Sequence, residues 1–250
     1  MDWKKYMLIA LDVFVGIYLI LAVTAFNKPD EKFNVCNGIK ITIEQESADG
    51  FLTENSIRQI LQNSKLAFFT QPMPQPMRLV NTRQVEEILQ GHDLIEEAQC
   101  YKSIDGMLCI NIRQRVPVVR VMSQTGEDYY VDTHGDVIQH NNYTCNLLLA
   151  TGCITKSYAS KVLAPIACQI QESAFWHNQI VQLNVLPDRS IEIVPRVGSH
   201  IAYLGAPKGI PAKLDRLEKF YRYGLSQTGW NIYSRISVEF DNQIICKKKK

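Results

Sequence analysis

The chain lacks the short signatures that announce chemistry. It has no G-x-S-x-G elbow, no P-loop and no G-x-G-x-x-G loop, so a nucleophile on a strained turn and a phosphate on a Gly-rich loop have no seat. The five histidines are scattered, and the seven cysteines form no C-x-x-C pair. The usual structural zinc spacings are therefore absent, and most of the cysteines read as small buried hydrophobes. A formal charge of +2 leaves no basic stripe for a nucleic acid. The strongest local signal is Asp132-x-x-Gly135. Only Asp136 stands near it, which is too few carboxylates for a cation loop, so the pattern reads as a turn with His134 in solvent.

Hydrophobic residues make up 46% of the chain, enough for real cores. The first such run is residues 6–26, YMLIALDVFVGIYLILAVTAF. At ~1.5 Å per residue it would make a helix of about 31 Å, near the thickness of a hydrocarbon core. Lys4 and Lys5 precede it, and this bias keeps the N-terminus cytoplasmic. Val23-Thr24-Ala25 would suit a signal-peptide cleavage site, but the run is longer than a signal core and favours an anchor. Asp12 lies inside the run, either solvated at the cytoplasmic third or facing another membrane helix.

Beyond residues 27–34, a polar linker, residues 38–44 alternate as a strand. Thr53 suits the N-cap of a helix with Ile57, Ile60 and Leu61 on one face. Residues 66–80, with Pro72, Pro74 and Pro76, read as an irregular loop carrying Phe68 and Phe69. Asn81 and Gln84 form a capping box for a second helix, with Val85, Ile88 and Leu89 as its buried face and Gly91 as its stop. Residues 95–102 and 108–116 read as a hairpin. A turn over Ile104, Asp105 and Gly106, with Gly106 left-handed, pairs Cys100 with Ile110 and Ala98 with Ile112. Only that register gathers the apolar residues on one face, which places Cys100 inward and Cys109 outward.

Pro117 cannot donate to a central ladder and looks like a hinge between two domains. Strands are expected after it around 119–122, 129–131, 180–185, 191–194 and 201–204, with a short apolar run at 147–152. A helix over 161–170 is interrupted by Pro165. Pro211 opens another helix, with Leu214, Leu217, Phe220 and Tyr221 on one face. Residues 232–240 alternate, Asp241-Asn242 turns, and a last strand follows before Lys247–Lys250.

These features together resemble the bacterial cell-division family FtsQ, called DivIB in other lineages. The resemblance covers nearly the whole chain. It rests on the basic head and single span, on NTRQVEEILQGHDLIEEAQC from residue 81, on LCINIRQRVPV from 108, on YVDTHGDVI from 130 and on YSRISVEFDNQIIC from 233. The proline-rich insertion at 66–80 and the many cysteines depart from the family pattern. The resemblance implies an α+β protein. Residues 1–5 would be a cytoplasmic head and 6–26 a transmembrane helix, with 27–34 as linker. A polypeptide-transport-associated (POTRA) domain of β-α-α-β-β order would fill 35–117, and a mainly antiparallel β domain with flanking helices 118–250. It further implies a non-enzymatic, cofactor-free scaffold of the division septum, its bulk periplasmic. That scaffold would recruit small coiled-coil partners of the FtsB/DivIC and FtsL type by strand addition. Gln243, Ile244, Ile245, Cys246 and Lys247 would form the accepting strand, with Phe240 as an anchor ahead of it. Arg189 is the nearest match to the family's basic residue that pairs with an acidic residue of the partner. The competing reading is a POTRA-type chaperone module for envelope proteins. Ile245→Pro is expected to weaken the partner more than the fold.

Overall fold

A computed structural model describes residues 3–26, 35–44, 52–139 and 147–249. The 27–34 linker and Cys145 lie outside these residues. Helix α1 runs Trp3–Phe26. Its described side chains are unburied and, Asp12 apart, mostly apolar, with Phe14 71% and Ile20 66% exposed. Among the described residues no helix is long and apolar enough to cross a membrane.

The chain divides into two compact units, one of residues 1–42, 54–89 and 98–111, the other of 43–53, 90–97 and 112–250. Toward the N-terminus come β1 (Val35–Cys36), β2 (Gly38–Glu44) and α2 (Glu54–Asn63), then α3 (Ala67–Thr70) and β3 (Gln75–Pro76). A 3-10 turn (Met77–Leu79), α4 (Thr82–Gln90), β4 (Ile95–Lys102) and β5 (Met107–Gln114) follow. The larger sheet of this part has the order β2-β5-β4. Helix α2 buries Ile57 and Leu61, and α4 buries Val85 and Leu89. Asn81 caps α4 by accepting the Gln84 amide on Oδ1 at 3.3 Å.

Two sequence expectations change here. Residues 66–80 are not a structureless loop. They hold α3, the 3-10 turn and β3, and β3 pairs with β1. Gln75 explains the order: 5% exposed, it donates through Nε2 to the carbonyls of Phe68 (3.0 Å) and Gln71 (2.9 Å). Its side chain satisfies backbone that the prolines leave unpaired. The second change concerns Cys109. It lies on the face opposite Cys100, yet both are only 7% exposed, because β5 is the central strand and neighbours cover it on either side. The hairpin turn itself has the expected form. Ser103 N–H donates to Met107 O at 2.8 Å, and Gly106 has φ +78°. A Cβ on Gly106 would stand 2.7 Å from Val35 O, so glycine is required twice over.

The C-terminal part is one nine-stranded sheet: β6 (Pro117–Ser123), β7 (Asp128–Asp132), β8 (Val137–Gln139), β9 (Leu148–Gly152), β10 (Ile180–Val185), β11 (Ile191–Pro195), β12 (Ile201–Gly205), β13 (Tyr233–Ser237) and β14 (Ile245–Lys248). Their order is β14-β13-β12-β11-β10-β9-β6-β7-β8. Most pairings are antiparallel, but β6–β9, β9–β10 and β12–β13 are parallel. Helices α5 (Lys156–Tyr158), α6 (Ala164–Glu172), α7 (Trp176–Gln179), α8 (Ile210–Phe220) and α9 (Ser226–Thr228) complete it. Their apolar faces, with Ala167, Trp176, Leu214 and Leu217, meet Val119, Val121, Leu183, Ile193 and Ile236 in one core. Single π-helical turns over Ala159–Leu163 and Tyr221–Leu225 lie against α6 and α8.

The stretch before Pro117 is tied rather than loose. The Arg115 guanidinium reaches Asp132 Oδ2 at 3.0 Å and Asp136 Oδ2 at 2.7 Å. Thr133 N–H donates to Val116 O at 3.2 Å. Asp132, 1% exposed, also accepts the His134 and Asp136 amides on Oδ1. The turn expected there exists, and its aspartate serves as a buried junction as well.

Candidate partner-binding edge

Strand β13 alternates because Ile236 points into the core while Arg235 and Ser237 point to the face without helices. The chain then leaves the sheet at Val238 and returns through Asp241 and Asn242, whose φ of +64° closes the turn. Strand β14 pairs antiparallel with β13: Ser237 with Ile245, Ile236 with Cys246, Arg235 with Lys247. It is the terminal strand of the sheet. The last strand is thus Ile245–Lys248, not 243–247. Gln243 and Ile244 precede it, and Lys248 belongs to it. Ile244 packs on the core instead of standing in the ladder.

The direction of each backbone group on β14 follows from one bond. Lys249 N–H donates to Ile232 O at 2.9 Å. Residues alternate along a strand, so Ile245 and Lys247 also turn their backbone groups toward β13, and Cys246 and Lys248 turn theirs to the open side. Ser234 Oγ donating to Lys247 O at 3.2 Å agrees with this. The irregularity between Tyr233 and Arg235 places the extra residue on β13 and leaves the alternation of β14 intact. Ile245→Pro is consequently the wrong probe of the free edge, since its N–H faces inward.

Side chains alternate in the other sense. Cys246 packs on the core, where burial pushes its thiol pKa up. Ile245, 52% exposed, and Lys247 lie on the helix-free face. On that face Arg235 pairs with Glu192 at 3.0 Å and stacks over the Tyr203 ring at 4.3 Å.

Phe240 is half exposed at the bend ahead of β14. Two residues of α8 that the sequence reading passed over hold this end of the sheet. The Arg216 guanidinium donates to Val238 O and Phe240 O, each at 2.9 Å, and to Asp241 Oδ1 at 2.8 Å. Lys213, buried, donates through Nζ to Leu204 O and Ala206 O at 2.8 Å. Burial lowers its pKa, with the Glu239 carboxylate opposing that shift. The available signal was a lysine between Ile210 and Leu217, on the apolar stripe of an amphipathic helix.

Arg189 does not join the group. It sits at φ +65° in the β10–β11 turn, and its carbonyl accepts the Tyr158 hydroxyl at 2.9 Å. Strand β11 is three places from β14 in the sheet, about 14 Å at ~4.8 Å per strand. Arg189 and Phe240 share one end of the sheet but not one patch.

The β4 edge of the three-stranded sheet differs. Ser103 bonds inward to Met107, so Cys100 N–H points outward, and Glu86 Oε1 on α4 accepts it at 2.7 Å. One donor of that edge is therefore already taken. Among the described residues no group of three His, Cys, Asp or Glu side chains could hold a metal ion.

Comparison with known families gives two matches. Residues 116–247 match the family model described as FtsQ/DivIB, C-terminal related, and residues 34–113 match that of a POTRA-like domain. No curated protein matches the chain.

Proposed function

Because the chain belongs to the FtsQ/DivIB family, we propose that it is a non-enzymatic, membrane-anchored scaffold of the division septum. It recruits small coiled-coil division proteins of the FtsB/DivIC and FtsL type by adding one of their strands to β14. The observation that carries this reading is the terminal strand itself. Alternation turns the backbone groups of Cys246 and Lys248 to the open side of β14, where no described residue takes them, while the comparable amide of β4 is taken by Glu86. An open edge is a template for a further strand, and its affinity comes from backbone bonds without pocket chemistry. Phe240, beside that edge, supplies an exposed ring as anchor.

Anchoring rests on the apolar run of residues 6–26, the helix α1 that carries it, and Lys4 and Lys5 ahead of that run. The bulk of the chain then stands on the periplasmic side of the cell inner membrane.

The test is a titration of the full chain with such a partner, comparing Lys248→Pro with Lys248→Ala. Both remove one charge, but only proline removes the outward N–H. Proline should weaken binding clearly more than alanine, with both melting curves near wild type, since edges tolerate proline. Equal affinity in the two variants would place the partner elsewhere.

A further inference from the structure

Three exposed lysines stand together on β14 and just after it: Lys247, Lys248 and Lys249. Several other cations of this part of the chain are matched. Arg120 faces Asp128, Arg216 faces Asp241, Lys219 faces Asp215, Arg222 faces Glu218 and Arg235 faces Glu192. Among the described residues no carboxylate pairs with Lys247, Lys248 or Lys249; Lys249 Nζ reaches only the Ser199 hydroxyl.

These charges coincide with the open backbone groups. Lys247 projects on the helix-free face beside Ile245, Lys248 projects on the other face, and the free ladder positions are Cys246 and Lys248. A strand laid along this side would bring its own side chains about 4.5–5.5 Å from those of β14. Like charges there would repel it, which disfavours a second copy of β14. Carboxylates there would be attracted and would complete pairs the protein leaves open.

We propose that the strand accepted by β14 is acidic, with carboxylates opposite or diagonal to Lys247 and Lys248. This rests on the strand-addition reading and names the chemistry of its partner. Charge selects the incoming strand, and the backbone groups of Cys246 and Lys248 hold it.

The experiment titrates the full chain with three peptides of one pattern: acetyl-Thr-Val-Glu-Glu-Val-Thr-amide, whose adjacent carboxylates fall on opposite faces as Lys247 and Lys248 do, and its Gln and Lys counterparts. The Glu peptide should bind about tenfold or more tighter than the Gln peptide at low salt, with the gap narrowing as salt rises. The Lys peptide should be weakest. The double variant Lys247→Glu, Lys248→Glu should reverse the order and prefer the Lys peptide. Three equal wild-type affinities, all weakened by Lys248→Pro relative to Lys248→Ala, would overturn the acidic partner and leave strand addition standing. Tight binding of the Glu peptide with no difference between Lys248→Pro and Lys248→Ala would overturn it too, as attraction without a ladder. Absence of binding by all three would overturn both.

Discussion

His200 shows how one side chain ties stability to pH. It is 2% exposed, and its Nε2 lies 2.6 Å from the Tyr221 hydroxyl inside a group of rings that includes Trp176 and Trp230. Burial lowers its pKa; the Trp230 backbone opposes the shift, and Lys249 adds to it. The unfolded chain, with a histidine pKa of about 6.5, therefore binds more protons than the folded one just below that value. Stability is full above about pH 6.5 and is lost as the pH falls from there through the folded value. Melting curves at neutral and mildly acidic pH should show this loss, and His200→Gln should flatten it if the variant folds. The sequence offered no sign of this role, because a lone histidine between Ser199 and Ile201 has neither periodicity nor spacing. Cys109 failed for a related reason. Alternation told correctly which face it occupies but not that its neighbours cover that face.

At the scale of elements, periodicity marked most strands and both helices of the first sheet, because alternation and the 3.6-residue repeat are written residue by residue. Pairing order is not written that way. The run 147–152 was visible as apolar, yet only its position between β6 and β10, parallel to both, explains why a near-continuous apolar strand suits it. Gly152 closes that strand at φ +102°, and a Cβ there would lie 2.1 Å from Val185 O. Gly152→Ala should cost about 2 kcal/mol or more in urea unfolding, since backbone must move. A cost near zero would mean the β9–β10 ends are not held as described. The π-helical turn at Tyr221–Leu225 and the order within 66–80 were equally illegible. One depends on packing around Tyr221 and Gly224, the other on the amide of Gln75 reaching back to carbonyls earlier in its own segment.

For the whole molecule, the edge was legible before its details were. The last apolar run ahead of the lysines was identified as the final strand, and it is the end of the sheet. Its bounds, the inward turn of Ile245 and the distance of Arg189 were not readable, because they depend on how β13 pairs and on sheet order. Topology can be checked directly: a reporter active only in the periplasm, fused after Lys250, should be active, and an active cytoplasmic reporter there would contradict the anchored orientation. Strand addition is tested most directly by amide hydrogen exchange of the full chain with and without a bound coiled-coil division partner. The amides of Cys246 and Lys248 should exchange quickly in the free chain and become protected in the complex, while Lys249, already bonded to Ile232, changes little. Unchanged exchange at Cys246 and Lys248 in a saturated complex would contradict strand addition at β14.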